Sequence, residues 1–149
     1  MTYKTYKGYF SPRNPNKYKG NPTNIIYRSR WESIAMSRFD ADPNVVEWSS
    51  EEMFIPYLSP IDGRLHRYFP DFIVKIKNKD GVIETKMLEI KPMSQTRPPE
   101  RQTNITKRYI TEVKTWGVNE AKWKAATEYC KDRKWSFHVI TERELGLKF

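Results

Sequence analysis

The sequence predicts an α/β fold in which a mixed central sheet is covered by helices. Three observations carry that expectation. The elements run in the order helix, several antiparallel strands, helices, strand. Apolar residues recur at helical spacing in two places and alternate roughly every second residue between them. The 149 residues, 38% hydrophobic and 14% aromatic, supply one core and leave little for a second.

Residues 1–22 are rich in Tyr, Lys, Asn, Pro and Gly without sustained periodicity, which predicts a basic extended arm or irregular loop before a single domain over 23–149. Thr23 or Asn24 caps a helix reaching about Phe39, with Tyr27, Trp31, Ile34 and Ala35 on one face and Asp40-Ala-Asp-Pro43 as its stop. Val45 to Leu58 holds one or two short strands, and Pro60-Ile-Asp-Gly63 reads as a turn. Leu65 to Lys77 alternates around Pro70, Asn78-Lys-Asp-Gly81 has hairpin-turn chemistry, and Val82 to Lys91 is the returning strand. Residues 93–104 form a polar loop. Ile105, Tyr109, Val113 and Trp116 mark a helix that Gly117 ends, and Asn119 caps another that turns Trp123, Ala126 and Cys130 inward. Trp135 to Ile140 is a final buried strand, and Thr141 caps a closing turn.

Composition excludes several classes. No apolar stretch approaches the roughly 18 residues that spanning a bilayer demands, so no membrane partner is expected. The start, MTYKTYKGYF, lacks the apolar core of a signal peptide. Cys130 is the only cysteine, so no intrachain disulfide forms and, with only His66 and His138 beside it, no soft-ligand zinc site assembles. Neither a GxxxxGK[ST] nor a GxGxxG pattern occurs.

The net charge is +9, from 27 basic and 18 acidic residues, and it is unevenly spread. No acid precedes Glu32, yet Lys4, Lys7, Arg13, Lys17, Lys19, Arg28 and Arg30 do, interleaved with Tyr3, Tyr6, Tyr9, Phe10, Tyr18 and Tyr27. A second basic stretch runs through Lys91, Arg97, Arg101, Lys107 and Arg108. Such a field attracts polyanions, and aromatics between cations stack on bases or sugars. The same residues also suit a solvated arm whose tyrosines pack on the domain.

The hairpin carries the chemistry. Paired residue numbers total about 159 for a four-residue loop and about 161 for a tight Asp-Gly turn. Asp71 then faces a residue between 88 and 90, with Glu89 in the middle of that window. Glu89 and Lys91 share one strand face, Leu88 and Ile90 the other. Charged groups on central, apolar strands are costly unless paired or metal-bound. Asp71, Glu89 and a backbone carbonyl near Ile90 offer the hard oxygen ligands that Mg²⁺ prefers, and Lys91 stands ready to orient water or offset phosphate charge. A surface hairpin with a carboxylate–lysine ion pair is the competing reading.

PDFIV (Pro70 to Val74) followed by LEIKP (Leu88 to Pro92) resembles the PD-(D/E)XK motif of restriction-endonuclease-like nucleases. SRWESIAMSRFDADPNVVEW (Ser29 to Trp48), then FIPY, DGRLHRYFPDF and EIKP, is similar to the catalytic domain of TnsA transposon endonucleases, and closer still to the family of head-completion nucleases of T4-like bacteriophages. The resemblance implies a restriction-endonuclease-like mixed sheet flanked by helices. It implies a Mg²⁺-dependent (or Mn²⁺-dependent) nuclease that cuts or trims packaged double-stranded DNA before head–tail joining. By it, Asp71 and Glu89 match the metal-binding acids, Lys91 the motif lysine, and Glu32 the additional acid, although Ser29-x-x-Glu32 also reads as a capping box. It further implies head portal or neck proteins as partners and a place in the virion or in the host cytoplasm during phage assembly. Gln95, Arg97 and Arg101 follow the motif and, with Lys107 and Arg108, are placed here as DNA contacts. The rival reading is a non-catalytic assembly protein that binds DNA or the portal through a nuclease-like fold.

Overall fold

Turn chemistry and alternation divide the middle of the chain into strands, and those strands build the platform for everything else. The computed structural model describes residues 7–146; the expectations placed on Tyr3, Lys4 and Tyr6 lie outside them. In chain order the elements are β1 (Gly8–Phe10), β2 (Ile25–Tyr27), α1 (Arg30–Ala41), β3 (Val45–Ser50), β4 (Ile55–Leu58), β5 (Leu65–Tyr68), β6 (Phe72–Lys77), β7 (Ile83–Ile90), α2 (Lys107–Asp132) and β8 (Ser136–Ile140). A four-stranded sheet in the order β3-β6-β7-β8 is antiparallel except between β7 and β8, which run parallel. The fold is therefore α/β with a mixed sheet, as expected. Among the described residues no helix is long and apolar enough to cross a membrane.

Two apolar clusters lie on opposite faces of this sheet. On one, Ala35 and Met36 of α1 pack with Trp48, Phe72, Val74 and Leu88. On the other, Ala126 and Cys130 of α2 pack with Met87 and with Ile55, Tyr57 and Tyr68 of the β4–β5 ribbon. Alternation along β7 feeds both: Met87 faces α2 while its neighbour Leu88 faces α1. Trp48 and Phe72 are fully buried, and each contributes about 1.5–3 kcal/mol by leaving water.

Several sequence expectations are corrected. The first helix starts at Arg30, not at Thr23 or Asn24, because Ile25–Tyr27 pairs antiparallel with Gly8–Phe10 and Ser29 is the cap that accepts from Glu32 N–H. Within the segment read as a basic arm, Tyr18 is buried edge-on against Trp48 at 4.8 Å. Lys17 Nζ there donates to the carbonyls of Asp40 and Asp42 at the end of α1, a cation where the helix dipole is negative. Leu65 to Lys77 is two strands in two different sheets: buried Pro70 lies between them and β5 pairs with β4. The two helices expected around Gly117 are one 26-residue helix. A glycine in a helix interior costs about 1 kcal/mol against alanine, less than the burial gained by continuing to Ala126 and Cys130. The last strand is half-buried at the sheet edge rather than buried. The Thr141 cap is present, its N–H and Oγ1 both donating to Glu144 Oε2.

Candidate active site

The β6–β7 ladder runs in strict register from Phe72↔Leu88 to Lys77↔Ile83, paired numbers totalling 160, midway between the two expected values. Continued by one rung, that register sets Asp71 opposite Glu89. Pro70 has no N–H to give, so the ladder stops at Phe72. The Asp71 side chain then takes over, Oδ2 accepting from Ile90 N–H at 2.8 Å. Glu89 is buried; its Oε2 accepts from Tyr68 Oη at 2.6 Å, and its Oε1 lies 3.9 Å from Lys91 Nζ.

Glu32 arrives from the first turn of α1. Its N–H donates to Ser29 Oγ at 3.1 Å and its Oε2 accepts from Arg28 N–H at 3.0 Å. The capping contact and a position at the site therefore coexist; the sequence posed them as alternatives. A fourth acid, Glu51, went unrecognised. It follows β3 with φ of 51°, in the left-handed region that a side chain enters only at a cost. Its N–H donates to the Asp71 carbonyl, and its carboxylate pairs with Arg28. The run Ser49-Ser-Glu-Glu52 carries no signal for this, since the backbone turn alone aims Glu51 inward. Strained backbone of this kind is common at functional sites.

Together Arg28, Ser29, Glu32, Glu51, Asp71, Glu89, Ile90 and Lys91 line a cavity of about 220 Å³. Carboxylate oxygens of Glu32, Glu51 and Asp71 lie within 4.8 Å of one another. Burial raises the Asp71 carboxyl well above the usual carboxylate range, and the neighbouring Glu89 and Glu32 charges add to it. Burial also raises Glu32, against the Arg28 and Ser29 hydrogen bonds, and raises Glu89, against the Tyr68 hydrogen bond and Lys91. Acids held this way take up either protons or a cation. A donor set made only of oxygens, closely spaced and partly wet, fits a small hard divalent ion such as Mg²⁺ or Mn²⁺.

Of the residues placed as DNA contacts, Gln95, Arg97 and Arg108 come together along a groove between the 94–99 segment and α2. Arg101 and Lys107 are exposed and do not line it. Arg108 Nε donates to Glu112 Oε1 at 3.1 Å.

The family model described as the TnsA-like endonuclease N-terminal domain matches residues 42–142, a stretch that contains Glu51, Asp71, Glu89 and Lys91. The head completion nuclease of Enterobacteria phage T4 is 39% identical over 150 aligned positions, which cover 96% of this chain and 97% of that protein.

Proposed function

This chain belongs to the TnsA-like endonuclease family, and from that membership we propose that it is a divalent-metal-dependent DNA nuclease of phage head completion. It uses Mg²⁺, with Mn²⁺ as a substitute, to cut or trim packaged double-stranded DNA before head–tail joining. It works in the host cytoplasm during assembly or in the virion, with head portal or neck proteins beside it. The observation that carries the reading is the convergence of Glu32, Glu51 and Asp71 beside Glu89 and Lys91 in one open cavity.

Asp71, Glu32 and Glu51 would hold the ion, with Glu89 Oε1 and the Ile90 carbonyl as further oxygen donors on the cavity wall. When bound, the ion supplies Lewis-acid charge to the scissile phosphate and acidifies the attacking water. The chain's own groups do the rest. Tyr68 fixes the Glu89 carboxylate by donating to Oε2 and favours its ionised form. The Lys91 ammonium, close to Glu89, orients water and offsets negative charge developing on the phosphoryl oxygens. Arg28, half-exposed and paired with Glu51, stands where an incoming phosphate meets the cavity mouth. Hydrolysis forms a new P–O bond to water oxygen and breaks the P–O bond to one sugar, whose oxygen takes up a proton.

Incubating supercoiled plasmid with the purified protein and Mg²⁺, Mn²⁺ or chelator tests this. Nicked or linear product is expected with either metal and not with chelator. Asp71→Ala and Lys91→Ala variants that melt normally should lose about 10²-fold or more. Cleavage untouched by both substitutions removes the site assignment. Lack of cleavage under every condition favours a non-catalytic assembly role.

A further inference from the structure

Asn119 sits inside α2 with 6% of its surface exposed, yet its side-chain amide makes no hydrogen bond to any described residue. It lines the groove that Gln95, Arg97 and Arg108 border, a space of about 490 Å³ and so within the roughly 300–1,000 Å³ of small-ligand pockets. Its polar atoms reach the groove surface, with two donors and an acceptor on offer there. Beside it stands Trp116, partly exposed and held edge-on by Trp123 at 5.9 Å. Gln95 adds a second exposed amide. Arg97 is an exposed cation, and Glu112 occupies only the Nε of Arg108.

This combination distinguishes among ligands. A lone phosphate would use the arginines and leave Trp116 and the amides idle. An intact duplex presents its bases stacked, with no free ring face for an indole. An unpaired nucleotide uses every element: the ring stacks on Trp116, its edge meets the Asn119 and Gln95 amides, and its phosphate meets Arg97 and Arg108. Gln95 is four residues beyond Lys91, so their Cα atoms are at most about 14 Å apart, roughly four steps along DNA at 3.4 Å each. We propose that this groove binds one unpaired nucleotide of the DNA, close to the scissile phosphate, so that the substrate is DNA with a frayed or single-stranded segment. The inference rests on the nuclease reading above and names the form of DNA that it acts on.

Fluorescence anisotropy in chelator tests it, comparing a six-nucleotide single strand of mixed sequence with a closed duplex dumbbell that has no ends. Trp116→Leu and Asn119→Leu should weaken single-strand binding about five- to hundredfold and change dumbbell binding less than about twofold, while Trp116→Phe retains most of the affinity. Thr111→Leu fills the groove from an exposed position and should reproduce the loss with the core untouched. Unchanged single-strand affinity in these variants overturns the site, and so does an equal loss on the dumbbell. Failure of the nuclease reading shows separately, as wild-type protein that leaves both supercoiled plasmid and a duplex with single-stranded ends intact with Mg²⁺ whatever its oligonucleotide affinity.

Discussion

Helix α1 buries a carboxylate at each end, and the two have opposite surroundings. Asp40, in the last turn, has 4% of its surface exposed; its Oδ2 and Oδ1 accept from the N–H groups of Arg13 and Asn14 at 2.9 and 3.0 Å. It stitches the N-terminal segment to the domain, and its charge is met by donors. Glu32, in the first turn, is buried almost as well but faces Glu51 and Asp71, with backbone donors too few for three acids. Burial of an acid therefore marks no site by itself. What marks one is carboxylate charge gathered beyond the local supply of donors.

Asp71→Asn tests the contrast most severely. It removes one of the crowded charges and keeps the shape, so cleavage falls about 10²–10³-fold while the metal-free melting temperature holds or rises. Saturating Mg²⁺, about 100 times its Kd, should stabilise the wild type by about 2.7 kcal/mol and this variant hardly at all. A variant that melts early and still cleaves would make Asp71 a stitching acid like Asp40.

Asp40→Ala is the mirror case. Losing two hydrogen bonds to a buried carboxylate should cost about 2–3 kcal/mol in denaturant melts, with cleavage per folded molecule and the Mg²⁺-induced stabilisation both kept. Loss of the metal effect would erase the distinction between the two ends.

Protons separate the ends next. Glu32, Asp71 and Glu89 have folded pKa values raised above their unfolded values. Their contribution to stability is thus full below about pH 4, where the unfolded carboxyls titrate, and is lost as pH rises through the raised folded range. Metal-free protein should lose this contribution progressively as pH rises above about 4. The Mg²⁺-induced rise in melting temperature should grow over the same interval, because the ion binds the deprotonated acids. Asp71→Asn should flatten both trends, and equal slopes for variant and wild type would dissociate the cluster from the shifts.

The smallest effect belongs to Ser29→Ala. Loss of the cap should cost about 1 kcal/mol and reduce cleavage only modestly, through looser placement of Glu32. A loss of cleavage as large as that of Asp71→Asn would show that the cap positions the acid and does more than start a helix.

Much of the site is legible in the sequence. Asp71, Glu89 and Lys91 belong to one hairpin, where the Asn78–Gly81 turn sets register and two-residue alternation sets faces, so neighbouring residues fix the outcome. Glu51 was not readable, because its approach to Asp71 depends on a left-handed residue after β3 and on β3 pairing with β6 rather than with its sequence neighbour β4. Gln95 and Arg97 are placed by following the motif, and Arg108 by the second basic stretch. Their meeting along one wall with Trp116 and Asn119 required α2 to run unbroken through Gly117.

The chain by itself determined the turn between β6 and β7, the returning strand and the pair of acids that face each other across one rung. These rest on interactions a few residues long, which spacing and turn chemistry encode directly. Tertiary structure alone decided that Tyr18 joins the core, that β5 leaves the main sheet for β4, and that acids from α1 and from the end of β3 arrive at the same cavity. Those outcomes come from apolar area buried between distant segments, a sum over the whole fold that no local pattern contains.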